Sequence, residues 1–300
     1  MNTRILAVDY EYLAPATLKE ALNILAEKTQ VRILAGGTDL IVELKTAAVT
    51  EMKYMMDIKR IPALDYIRFN DGQLHIGPAA VLSQIEKNEI VREKYPALAE
   101  AISSMASVSV RNMGTMAGNI CNASPVADSV VPALCYGAVL TLASSRAERV
   151  VALRDFFTGP NATVMAKDEM LTDIALPEPK AGAGSAFIKI SRVKPDIAKV
   201  SAGALIEHEG QTVTACRIAM GAAASVPDFL KEAGENMAGK KMTEQLLAET
   251  VALAVAHVTP SASRRFPRSR WSTPEYKLHV AEVILADVLR EAWKRAGGKL

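Results

Sequence analysis

The chain has 300 residues, half of them hydrophobic, with 35 Lys and Arg against 33 Asp and Glu and a net charge of +2. That length suggests about two domains with a full core, and so balanced a charge argues against a strong electrostatic commitment to nucleic acid, which normally needs a basic face. No basic stretch leads into an opening apolar run and no segment approaches about 18 uninterrupted apolar residues, so neither signal peptide nor membrane span is expected and the default is a soluble, cytoplasmic protein.

Residues 1–60 alternate as a small α/β unit. Thr17 is placed to cap a helix with Leu18, Ala21, Leu22 and Leu25 on its apolar face, and a strand follows at Val31 to Leu34. Next come the turn Ala35-Gly36-Gly37 and apolar Leu40, Ile41 and Leu44 at helical spacing, with Thr38 or Asp39 as N-cap. Free N–H groups and the helix dipole make such a strand, glycine turn and helix start a favourable place for phosphate. The run Tyr54 to Ile58 completes a βαβ-like piece. After Pro62, Gln73 to Pro78 reads as a strand ending in a turn and Val81 to Lys87 as a short helix. A longer helix after Pro96, with Leu98, Ala101, Ile102 and Met105 on one face, is predicted to feed straight into a second glycine segment.

That segment, Arg111 to Ser129, has two glycines four apart, Gly114 and Gly118, with hydroxyls and an Asn nearby and Asp128 before the next apolar run. Small residues from Gly114 through Thr115 and Ala117 to Asn119 can aim successive N–H groups at an anion, although an ordinary tight loop has the same spacing. Two such loops could grip a diphosphate from two sides. Neither is the dinucleotide fingerprint GxGxxG, and no GxxxxGKS/T loop occurs, so Rossmann and nucleotide-hydrolase readings lack their residues.

Val130 to Leu142 reads as a buried helix-to-strand passage, Arg149 to Leu153 as a strand, Asp155 to Pro160 as ending in a turn, and Asp168 to Pro177 as a strand stopped by proline. Pro177 to Gly184 is the predicted linker. Beyond it lie three strands, Ser185 to Ser191, Lys199 to Glu207 and Thr212 to Gly221, and helices over Thr243 to His257 and Tyr276 to Ala296. The last has Leu278, Ala281, Leu285, Val288, Leu289 and Ala292 in a stripe, with Lys277 off it. Cys121, Cys135 and Cys216 form no CxxC pair, and His75, His208, His257 and His279 show no ligand spacing, so metal chemistry is expected only from other chains.

Ala35-Gly36-Gly37-Thr38-Asp39-Leu40, followed by Arg111 to Asn119 and by Ala123-Ser124-Pro125-Val126-Ala127-Asp128, resembles the FAD-binding medium subunit of the molybdenum hydroxylases, the xanthine dehydrogenase and carbon monoxide dehydrogenase type, over almost the whole chain. The resemblance implies an α+β fold: a two-part FAD-binding domain of the vanillyl-alcohol-oxidase/MurB type over 1–178 (subdomains about 1–60 and 61–178) and a C-terminal α+β domain with a small antiparallel sheet over 179–300. It implies that Ile33, Leu34, Ala35, Gly36, Gly37, Thr38, Asp39 and Leu40 contact the FAD pyrophosphate and flavin rim. Gly114, Thr115, Ala117, Gly118 and Asn119 would hold the diphosphate from the other side. Asp128 would accept from a ribose or ribityl hydroxyl, with helix capping as its alternative role. Leu171 would lie beside the isoalloxazine, with plain core packing as its alternative. Lys189 would neighbour the flavin, with a solvated strand lysine, or Ile188 in its place, as the alternatives.

By the same resemblance the chain is an electron-transfer subunit with no acid or base for an organic substrate. Molybdopterin belongs to a large partner subunit and 2Fe-2S clusters to a small one, and electrons leave to an external acceptor. The chain departs from the family at Ala117-Gly118, where two glycines are usual, at Val81, where a hydroxyl is usual, and at Arg268 to Pro274, where an acidic-Arg-Gly motif is usual. It lacks the cysteine-bearing insertion of hydroxybenzoyl-CoA reductases. Arg264, Arg265, Arg268 and Arg270 are read as a solvated loop or as a docking patch for an acidic partner. A self-contained flavin oxidase or reductase and a flavin-free assembly scaffold are the competing functions.

Overall fold

The computed structural model describes residues 8–46, 48–49, 51–259 and 273–300. Its first unit is a parallel sheet of β1 (Glu11–Leu13), β2 (Val31–Leu34) and β3 (Tyr54–Asp57) in the order β1-β3-β2, with α1 (Leu18–Glu27) and α2 (Leu40–Lys45) as crossovers. Thr17 caps α1 by accepting from Glu20 N at 3.2 Å, and the helix buries Ala21 and Leu25. β1 has no counterpart in the sequence reading. Three largely exposed residues carry too little apolar alternation to announce a strand.

The second unit is an antiparallel sheet. β4 (Ile67–Asn70) and β5 (Gln73–Ile76) form a hairpin, and three helices follow: α3 (Leu82–Lys87), α4 (Glu89–Lys94) and α5 (Pro96–Ser104). Val81 has no hydroxyl with which to cap α3, but Gln84 Oε1 accepts from its N–H at 2.9 Å, which supplies half of a capping box. α5 stops at Ser104, so Met105 lies beyond it. A further turn of helix, α6 (Val108–Arg111), then intervenes before the glycine segment, where the sequence suggested direct entry. Two helices follow, α7 (Met116–Cys121) and α8 (Val130–Cys135), then β6 (Val139–Ala143), β7 (Glu148–Ala152), a small pair β8 (Phe157–Gly159) and β9 (Ala162–Thr163), and β10 (Met170–Pro177). The sheet order is β4-β5-β10-β6-β7.

Residues 178–183 lead into β11 (Gly184–Ile190), β12 (Val200–Glu209), β13 (Thr212–Gly221) and a two-residue β14 (Asp228–Phe229), so the last sheet has four strands rather than three. It is covered by α9 (Lys231–Met237), α10 (Glu244–His257) and α11 (Pro274–Arg295). The stripe on α11 buries Ala281, Leu285, Val288, Leu289 and Ala292, together with Trp293. Lys277, placed off the stripe by its charge, is buried as well: its stem packs inward and Nζ donates to Ala222 O at 2.8 Å. Arg264, Arg265, Arg268 and Arg270 lie outside the described residues.

The largest core lies between the five-stranded sheet and α3 to α8, with Leu74, Ile102, Val131, Leu140 and Ile174 fully buried. Phe187, Leu205 and Ala219, from the C-terminal sheet, belong to it. A second core, with Ile206, Ile218, Leu285 and Trp293, fills the space between that sheet and its helices. Each such aliphatic side chain contributes about 1.5–3 kcal/mol of burial. Among the described residues no helix is long and apolar enough to cross a membrane, and no group of His, Cys, Asp and Glu could hold a metal.

Candidate functional site

β2 delivers Ala35 to Thr38 against the segment between α6 and α7. A Cβ on Gly36 would lie 2.3 Å from Met113 O and 2.6 Å from Gly114 Cα, so only glycine lets the two loops touch backbone to backbone. Gly37 has φ +73°, and a Cβ there would meet Leu34 Cδ1 at 2.7 Å. Asn122 donates to Asp39 Oδ2 at 3.1 Å and Lys59 to Ala35 O at 3.0 Å, which fixes the first loop from both sides. Asp39 occupies the N-cap position of α2, but neither it nor Thr38 caps the helix through its side chain. The Thr38 hydroxyl has no partner among the described residues.

Thr115 caps α7, accepting from Gly118 N at 2.9 Å, and Asn119 N bonds to Thr115 O at 3.1 Å. The amides of Gly118 and Asn119 therefore bond within the helix, where the resemblance implied that they serve a diphosphate. The first-turn amide of Ala117 precedes any intrahelical acceptor and remains for that purpose, whereas Met116 is fully buried beside the Val81–Thr115 bridge. Asn119 Oδ1 accepts from Ser129 Oγ at 2.8 Å.

The two loops form one wall of an open cleft of about 1140 Å³, larger than the roughly 300–1,000 Å³ of ordinary small-molecule sites. Ile33, Ala35 to Leu40, Gly114, Thr115, Ala117, Gly118, Asn119, Asp128 and Leu171 all line it. Leu34 does not: it turns into a small cluster around Leu44 and Met55. Leu171, 3 % exposed, sits where the β10–β6 pairing shifts register, so it serves the core and the wall together.

Lys189 also stays out of the cleft. Its Nζ bonds to Asp128 Oδ2 at 2.9 Å, Ser104 O at 2.6 Å and Asp196 O at 3.2 Å, and its side chain is 4 % exposed. It is a buried anchor behind the wall rather than a solvated strand lysine or a cation on the cleft face. Asp128 does not cap α8, whose N-cap is Ser129. Burial pushes its carboxyl up to about 6, with Lys189 opposing, and Asp128 Oδ1 is buried with no hydrogen-bond partner. An orphaned carboxylate oxygen on a cleft wall is an acceptor for a donor the cleft would hold.

Several lining residues escape the sequence reading: Met105 and Ala106 after α5, Pro195 to Ile197 between β11 and β12, and Arg32, Arg146 and Lys167 toward the other end. Pro195-Asp196 is a recognisable turn, but nothing in the sequence places it against residues some ninety positions earlier. Ala106 has φ +42° without a glycine to mark it.

Residues 8–179 match the family described as the FAD binding domain in molybdopterin dehydrogenase, and residues 185–292 match the CO dehydrogenase flavoprotein C-terminal domain. The chain is 34 % identical over 296 residues to the xanthine dehydrogenase FAD-binding subunit of Escherichia coli O157:H7, covering 96 % of this chain and 98 % of that one. It is 30 % identical over 283 residues to the glyceraldehyde dehydrogenase medium chain of Sulfolobus acidocaldarius, covering 94 % and 98 %. Among solved structures, a chain of the carbon monoxide dehydrogenase of Hydrogenophaga pseudoflava superposes with a TM-score of 0.90 at 28 % identity, covering 95 % of this chain and 98 % of that one.

Proposed function

The chain belongs to the FAD-binding medium subunit family of the xanthine and carbon monoxide dehydrogenases, and from that premise we propose that its cleft holds FAD and that it works as the electron-transfer subunit of a heterotrimeric molybdenum hydroxylase. Electrons come from 2Fe-2S clusters of a small subunit, fed by a molybdopterin-binding large subunit, and leave to an external acceptor. The relatives named above act on xanthine, glyceraldehyde and carbon monoxide, which fits a substrate pocket on another chain. The cytoplasm is the proposed location, and the division into 1–178 and 179–300 is proposed with it, supported by the change of core between the two sheets.

The observation that carries this reading is the pair of glycine loops locked together at Gly36 and Gly114, which leaves the Thr38 hydroxyl and the Ala117 amide available along one wall. None of these groups carries a negative charge, so they can donate to phosphate oxygens without repelling them. Asp128 Oδ1 supplies the acceptor that a sugar or ribityl hydroxyl needs. Leu171 and Ile197 provide apolar wall for a ring. FAD bound there supplies exchange between one-electron and two-electron partners, while the protein sets its orientation and potential.

The test is an absorption spectrum of the purified chain with identification of released chromophore, repeated after co-expression with its partners. Flavin bands released as FAD at one per chain are expected. A chain that stays colourless in the assembled complex overturns the reading and leaves the scaffold function.

A further inference from the structure

Ser104 to Ser107 form a turn on the cleft wall held in an unfavourable conformation, since φ of +42° at Ala106 lies in the left-handed region that a Cβ disfavours. Two cations, Lys189 buried and Arg111 largely so, hold it. Lys189 Nζ donates to Ser104 O at 2.6 Å, and Arg111 Nη1 donates to Met105 O at 2.8 Å and Ala106 O at 3.1 Å. Arg111 is itself fixed through Nε by Glu86 Oε2 at 2.9 Å, and its side chain is 11 % exposed.

Met105 and Ala106 line the cleft, while neither Arg111 nor Lys189 does. The cations therefore stand behind the turn, and the three carbonyls point away from the cleft. In a trans peptide the N–H points opposite to the C=O of the same plane, and no peptide among the described residues is cis. The amides sharing planes with the Met105 and Ala106 carbonyls are those of Ala106 and Ser107. They point away from Arg111, the Ala106 amide belonging to a residue that lines the cleft and the Ser107 amide to an exposed residue beside it, and neither donates to an acceptor among the described residues, whereas Met105 N closes onto Ile102 O at 3.0 Å.

We propose that the Ala106 amide is a donor for the electron-rich rim of the flavin ring, where negative charge accumulates in reduced FAD, with Arg111 and Lys189 as the positioning residues behind it. The proposal rests on the reading of the cleft as an FAD site. The ring rather than the phosphates fits here because the neighbouring surface is apolar: Met105, Val110, Pro195 and Ile197 line this part of the cleft, and Lys189 ties the turn to the 195–197 loop through Asp196 O. Dipoles fixed in advance stabilise developing charge without reorganising. Arg111 polarises the Met105–Ala106 and Ala106–Ser107 peptides from behind.

The full chain and its Arg111→Met and Arg111→Lys variants are titrated anaerobically with oxidised and with dithionite-reduced FAD. Arg111→Met is expected to bind oxidised FAD within a few-fold of the wild type while losing its preference for reduced FAD at least tenfold, about 30 mV in the midpoint potential of a two-electron couple. Arg111→Lys is expected to fall between. Equal losses for both forms, the mark of a merely structural residue, or no change in either would overturn the proposal while leaving the flavin site intact. If Arg111→Met does not fold, Glu86→Gln, which loosens the guanidinium in place, is read the same way: a smaller shift in the same direction supports the proposal and none overturns it. A wild-type chain that takes up neither form of FAD removes the flavin reading and the proposal together.

Discussion

At Asp128 the two carboxylate oxygens meet different surroundings: Oδ2 is held by Lys189, and Oδ1 is buried without a partner. Burial raises the carboxyl from 3.8 to about 6 even with Lys189 beside it. The sign follows directly. The folded state binds this proton more tightly than the unfolded chain, so the ionised form costs the fold about 3 kcal/mol above pH 6, and that cost is relieved as pH falls from 6 toward 3.8. A hydroxyl donating to Oδ1 favours the ionised form, so FAD affinity is expected to be constant above pH 6 and to fall by up to tenfold per unit below it. Asp128→Asn should bind more weakly at pH 7.5 and lose the pH dependence. Fluorescence titrations between pH 5 and 8 check both, and an Asn variant that keeps the acid limb would remove Asp128 from the site. Asp128 and Lys189 are each visible in the sequence through the family pattern. Their pairing is not, because 61 residues separate them and only the packing of β11 beneath α8 brings them together.

The glycine loops show what an element-level signal can and cannot say. Their glycines correctly announce a backbone approached closely, but at Gly36 the approaching object is the second loop, not a ligand. Gly36→Ala is therefore expected to force the loops apart, with an overpacking cost of about 1–3 kcal/mol and loss of most bound FAD. Gly72→Ala makes the same chemical change in the β4–β5 turn, where a Cβ meets nothing within 4 Å and only φ of +70° opposes it. That variant should lose about 1 kcal/mol and keep its flavin. FAD content and thermal midpoints of the two variants decide the matter, and equal flavin loss in both would show that loop contact is not what shapes the cleft. The longer elements α1, α5, β10 and α11 were legible from apolar periodicity, and the four-residue β2 from its apolar run into a glycine turn. β1, β4 and β14, of two to four residues, were not, because their pairing partners rather than their own patterns make them regular, and α6 is a single turn too short to show a period.

At the scale of the molecule, the stretch 178–183 reads as a boundary in the sequence, yet the parts on either side complete one another. Phe187, Leu205 and Ala219 enter the core of the five-stranded sheet. Tyr136, buried in that core, shares a 2.6 Å hydrogen bond with Ser185. Glu100 on α5 accepts from Phe187 N at 3.1 Å on the outer edge of β11 and pairs with Arg295 of α11 at 2.6 Å. None of this shows in local sequence, because α5, β11 and α11 are far apart along the chain and each contact uses one face of an element that also serves its own core. Ordinary domain pairs meet through small polar interfaces and unfold separately. Here melting the C-terminal sheet would expose Phe187 and the groups it covers, strand the buried Asp128 without Lys189 and open the 195–197 wall of the cleft. Breaking a buried ion pair in that way costs about 3–5 kcal/mol, so neither part is expected to survive the loss of the other. Scanning calorimetry of the full chain should give a single transition whose calorimetric and van't Hoff enthalpies agree, with flavin release in the same step. Two resolved transitions, or flavin retained after the first, would mean that the shared core is a contact between independent domains.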